Sequence, residues 1–115
     1  MGNEKDLDLR EYNIGINEYR ELKYFCMQYR DKKRVLKQKN TRISDGMREK
    51  YRGDVEMIER CAEEAAGNLA ALLLKNVVDG VKYEYLNIPC SRWSFYEMRK
   101  RYFWILRNMT TEWPR

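Results

Sequence analysis

A chain of 115 residues carries 23 Lys and Arg against 18 Asp and Glu, a formal net charge of +5, with 43% hydrophobic and 36% charged side chains. That is material for one modest core. A mean hydropathy of −0.85, with no apolar run longer than Leu69–Leu74, argues against the ~20 apolar residues of a membrane span and for a soluble chain without a membrane partner. There is no histidine and there are three cysteines, Cys26, Cys61 and Cys90, with no C-x-x-C pair. A His-centred triad, an imidazole base, a zinc site and a disulfide framework are therefore not expected, and neither are catalytic residues, a metal or a cofactor. The polar, acidic start "MGNEKDLDLREYN" has no secretory pattern, and buried reduced thiols point to the cytoplasm.

The charge is unevenly spread. Residues 1–29 are net −2, residues 30–52 net +7, residues 53–80 net −4 and residues 81–115 net +4. Two basic blocks around an acidic one suit a polyanion partner, although a solvated helix end would account for the first block equally well.

In chain order, residues 1–13 lack periodicity and read as a flexible arm. Residues 14–115 read as a single helical domain. Within it, 14–39 form an N-terminal helix capped by Asn17, with Tyr19, Leu22, Cys26 and Tyr29 on one stripe. Residues 40–53, "NTRISDGMREKYRG", read as a basic loop and hinge. Asp54 then caps the first of two central helices in 54–80. Gly67-Asn68 interrupts them, Asn68 recaps the second, and Asp79-Gly80 closes it. The apolar second helix, Leu69–Val78, is the expected hub of the core. No alternating strand pattern is present, so the fold class is all-α, about five helices with a C-terminal helix-turn-helix.

That last motif covers 81–109. "VKYEYLN" reads as a two-turn helix with Val81, Tyr85 and Leu86 inward, and Ile88-Pro89 breaks it. Ser91 caps a longer helix whose Phe95, Met98, Tyr102 and Ile105 form the core side. A helix-turn-helix needs this order of parts, with the second helix locked by its apolar side and basic and polar elsewhere. Arg92, Trp93, Ser94 and Tyr96 then reach base edges, while Lys82, Arg99, Lys100 and Arg107 meet phosphates. Ser91 serves as cap or as a further phosphate ligand. Lys32, Lys33, Arg34, Lys37, Lys39 and Arg42 form a secondary basic patch. Trp93, Tyr96, Phe103, Trp104 and Trp113 exceed what one core side of one helix can hold, which favours a homodimer. An ordinary helical bundle with a basic back has the same spacing, so this pattern alone leaves a protein-interaction role open.

The stretches "EYRELKYFCMQYRDKK", "IERCAEEAA" and "VVDGVKYEYLNIPCSRWSFYEMRKRYFWIL" resemble small phage and prophage proteins of Gram-positive bacteria, similar to the RinA/ArpU-type phage transcriptional regulators. The likeness spans most of residues 15–108. It implies a helix-turn-helix like that of sigma-factor region 4 and DNA contact by Ser91, Arg92, Ser94, Tyr96, Arg99 and Lys100. The chain departs from the pattern in the 40–53 connection and at Trp93, where a smaller polar residue is usual. The expected function is a sequence-specific, DNA-binding transcriptional regulator of a phage, without catalysis, in the cytoplasm of a bacterial host. Its expected partners are double-stranded DNA, a second copy of the chain, and host RNA polymerase or another host protein. The alternatives are a phage-encoded inhibitor of a host or defence protein and a small packaging subunit.

Overall fold

Residues 8–39 and 42–112 are described by the computed structural model, and all elements among them are helical, with no strand. Five α-helices follow one another: α1 (Ile16–Met27), α2 (Tyr29–Lys37), α3 (Asp45–Ala66), α4 (Ala70–Val77) and α5 (Arg92–Glu112). Single 3-10 turns at Arg10–Tyr12, Gly67–Leu69 and Tyr83–Tyr85 join or precede them.

Helices α4 and α5 are close to the segments that periodicity picks out, and those in the first half of the chain are not. The N-terminal helix is capped two residues earlier than expected, by Gly15 in extended geometry in place of Asn17. It also breaks at Gln28, whose ψ of −5° turns Tyr29 and Lys32 into the core at the start of α2. The largest correction concerns the 40–53 loop. Ser44 accepts a hydrogen bond from the Met47 amide at 3.1 Å, and the chain is helical from Asp45 onward. A Ser cap satisfies one of the orphan amides of the first turn, and the burial of Val55, Met57, Ile58, Cys61 and Ala62 along the same helix offsets the penalty of Gly46 and Gly53. Asp54 is consequently a mid-helix residue and no cap.

The result is a 22-residue α3, about 33 Å long, and this helix, not α4, is the hub: α5, α2 and α4 all pack on it. Ile58, Cys61 and Ala62 of α3 are fully buried, together with Cys26, Leu73, Tyr102, Phe103 and Leu106. The reason is reach. An eight-residue α4 cannot touch three neighbours along their lengths, whereas α3 can.

Gly67 ends α3 at a φ of +54°, a geometry that costs a residue with a Cβ, so the interruption falls where the sequence placed it. Leu69, not Asn68, precedes α4 as its cap residue. Gly80, at φ +72°, closes α4: its amide reaches the Asn76 carbonyl at 3.1 Å and the Asn76 side chain donates to the Val81 carbonyl at 2.9 Å. The segment expected as a two-turn helix is only the 3-10 turn Tyr83–Tyr85. Leu86 is buried there, but Tyr85 is 74% exposed. Of the expected N-terminal arm, residues 1–7 lie outside the described residues. The rest is docked, since Leu9 is 1% exposed and the Tyr12 carbonyl accepts from Arg107 at 2.9 Å.

Candidate nucleic-acid interface

The start of α5 is built locally. Ser91 Oγ accepts from the Ser94 amide at 3.0 Å and lies 3.0 Å from Ser94 Oγ, to which it donates. Both functions of the Ser91 hydroxyl are thus engaged, and so is Ser94. The Tyr83 hydroxyl donates to the Cys90 carbonyl and ties the turn to the helix entry. Phe95 (1% exposed), Tyr102 and Ile105 are buried on the side that the spacing assigned to them, Met98 is half-buried there, and Leu106 joins them.

Arg92 projects from the first turn with its side chain 57% exposed. Its guanidinium lies 5.0 Å from the Tyr83 ring centre, and Glu84 is 3.7 Å away. Trp93 is 73% exposed. Tyr96 is half-buried and packs edge-on against Phe95 at 5.7 Å. Lys82 is half-buried and forms no ion pair with a described residue.

The three remaining cations expected at phosphates are placed otherwise. Arg99 is 4% exposed, donates to the Tyr19 hydroxyl at 2.9 Å and lies 6.0 Å from the Phe103 ring centre. Lys100 reaches Glu11 at 3.0 Å and Glu97 at 3.2 Å, and the Glu11 carboxylate pushes its pKa up. Arg107 donates to the Tyr12 carbonyl at 2.9 Å and approaches Glu18 at 3.7 Å. One flank of α5 is therefore occupied by residues 11–19, with carboxylates and a carbonyl where phosphates were expected. Arg92, Tyr96, Arg99 and Lys100 do not share one exposed face.

The secondary patch divides in the same way. Lys32 is 7% exposed and pairs with Asp54 of α3 at 2.8 Å, its ammonium 4.7 Å from the Phe25 ring centre. Lys33 meets the Tyr29 hydroxyl at 3.3 Å and Glu59 at 3.4 Å, and Arg34 pairs with Asp31. Lys37, Lys39 and Arg42 are exposed and form no ion pair with a described residue. Sequence reasoning passed over Arg101, exposed and likewise without such a pair, although its position four residues after Glu97 on the outer side of α5 could have drawn notice.

An open groove of about 690 Å³ lies between α2, α3 and α4, lined by Tyr29, Glu59, Glu63, Ala70, Ala71 and Leu74. Its two carboxylates make it unsuited to a polyanion. No cluster of three or more potential metal ligands exists among the described residues, and no helix among them is long and apolar enough to cross a membrane. Compared with known proteins, the chain matches no family model, no curated protein and no solved structure.

Proposed function

We propose that the chain is a DNA-binding regulator of the phage type that works without catalysis. It approaches duplex DNA with the entry of α5, through Arg92, Tyr96 and Lys82, and with the exposed cations Lys37, at the end of α2, and Lys39 and Arg42, which follow it before α3. The observation that carries this reading is the entry of α5 itself: a capped helix start, anchored by Phe95, that carries Arg92 outward on the first turn. Arg in that place can pair with guanine in a major groove, while Lys37, Lys39 and Arg42 neutralise phosphates. The resemblance of residues 15–108 to phage transcriptional regulators supports the same reading. Arg99, Lys100 and Arg107 have structural work inside the fold and are left out of it.

Selection of bound duplexes from a random pool at two salt concentrations tests the proposal. Affinity should fall with salt by roughly 0.9 log units per log unit of salt for each phosphate contact. Joint substitution of Lys37, Lys39 and Arg42 by Ala should weaken binding to all sequences and flatten that slope. Arg92→Ala should relax choice among sequences by about 1–3 kcal/mol. Unchanged affinity in the triple variant and unchanged selectivity in Arg92→Ala would overturn the reading.

A second reading, a phage inhibitor of a host protein, is favoured by the exposed rings of Tyr85 and Trp93 on either side of the turn. Exposed aromatics beside an Arg are the usual anchors of protein interfaces. Stoichiometric recovery of one host protein, without a duplex shift at low salt, would select it.

A further inference from the structure

Two indole rings lie on the outer side of α5, Trp93 at 73% and Trp104 at 40% exposure. They are eleven residues apart in one helix, about three turns or ~16 Å along its axis, and so project to nearly the same side. Between them on that side stand Glu97 and Lys100, 3.2 Å apart. Beside Trp104, an open groove of about 330 Å³ is lined by Glu64, Arg101, Ile105, Asn108 and Met109. The outer side of α5 thus carries a projecting ring near one end and a partly apolar recess near the other.

The geometry points to a second copy of this chain as the occupant: two α5 helices packed antiparallel about a two-fold axis passing between residues 98 and 99. An antiparallel pair with that axis sets Trp93 opposite the partner's Trp104, because both lie equally far from the axis along the chain. The same axis sets Glu97 opposite the partner's Lys100. One symmetry operation therefore seats each exposed Trp93 against the recess at Trp104. It also brings each Lys100, held in its own chain by Glu11 and Glu97, toward the Glu97 of the other copy. An isologous interface demands this self-complementarity. Indole burial at the two ends supplies the hydrophobic gain, with these charges fixing the register.

This pairing does not rest on the DNA reading. It takes Trp93 into a protein contact and leaves Arg92, about 100° away around the helix, on the neighbouring flank. It also buries Trp93, 73% exposed in the single chain, whereas Trp104 is already packed against Tyr12 at 6.2 Å.

The test is the mass of the full chain in DNA-free solution, by light scattering or sedimentation over a concentration series. The native chain should reach twice its 14.1 kDa. Trp93→Ala removes a ring at both ends of the two-fold interface and should weaken dimerisation by about a thousandfold, the size of two aromatic hot spots, with an unchanged helical spectrum and, at concentrations where both chains are monomeric, an unchanged melting point. The register is read separately in a Cys90→Ser background. A Trp93→Cys chain mixed with a Trp104→Cys chain should give a disulfide-linked heterodimer in larger yield than either alone. A native chain that remains monomeric at all concentrations overturns the inference. So does a Trp93→Ala chain that dimerises as tightly as the native one, and so does crosslinking confined to like variants.

Discussion

Arg99 of α5 and Tyr19 of α1, 80 positions apart in the chain, meet inside the core, guanidinium to hydroxyl at 2.9 Å. Both side chains are buried, at 4% and 1% exposure, and Phe103 packs edge-on against Tyr19 at 5.1 Å. The contact makes Arg99 a strut between the two ends of the chain. Hydrogen bonds to a charged group are worth more than neutral ones, so Tyr19→Phe should cost about 1.5–3 kcal/mol in chemical denaturation. Duplex affinity of the folded Tyr19→Phe protein should be unchanged. A large loss of affinity at full stability would return Arg99 to the interface.

Lys32 and Asp54 form a second buried link, 2.8 Å apart with side chains 8% and 4% exposed. Lys50, at 3.4 Å from the same carboxylate oxygen, is largely in solvent and contributes little. Removing one member of a buried pair strands the other charge in low dielectric, so Asp54→Ala should destabilise the fold by about 3–5 kcal/mol. Replacing both, as Lys32→Met with Asp54→Leu, should recover most of that loss. Equal damage from the single and double variants would refute this account.

Stability should be nearly flat near neutral pH, because the chain has no histidine, and should decline on the alkaline side. Burial pushes the Cys26 and Cys61 thiols from the ordinary 9.0 to about 12. Burial also raises the Tyr102 and Tyr29 hydroxyls, while the Tyr29 hydroxyl and the Glu11 carboxylate raise Lys33 and Lys100. A group that binds its proton more tightly when folded gives a contribution that is intact below its unfolded pKa and is lost as pH rises through the folded one. Unfolding free energy should therefore fall from about pH 9 upward, by up to about 1.4 kcal/mol per pH unit for each buried thiol, with the solvent-screened Lys33 contributing little. A rise in stability over that range would contradict the burial of these groups.

Thiol accessibility follows from the same packing. Cys26 and Cys61 are at 0% exposure, and Cys26 Sγ sits 3.2 Å from the Tyr102 hydroxyl, whereas Cys90 is half-exposed in the turn before α5. The thiolate is the reactive form, so native alkylation at mild pH should label one cysteine quickly and the other two only on unfolding. Mass spectrometry of a time course checks this, and early labelling at Cys26 or Cys61 would show that the α1–α3–α5 core opens.

The sequence by itself determined that the described elements are helical and where the sharpest breaks fall. No run alternates with period two, Gly67 and Gly80 occupy positive-φ positions that glycine tolerates, and Ser91 caps α5 through a contact three residues away. It also determined the core side of α5, because Phe95, Tyr102 and Ile105 repeat at helical spacing. All of these are local relations, legible within one or two turns of chain. The fate of the charged residues is not local. Arg99 and Arg101 are two positions apart in one basic run, yet one is buried and the other exposed, because Tyr19 is on hand to receive the first. Lys32 sits in a row of cations and is drawn into the core by an Asp54 that local pattern had read as a cap. Burying a cation is favourable only when its counter-group is already in place, and that group came from another helix each time. Only the tertiary structure could therefore divide the basic residues into those that hold the fold together and those left to meet a partner.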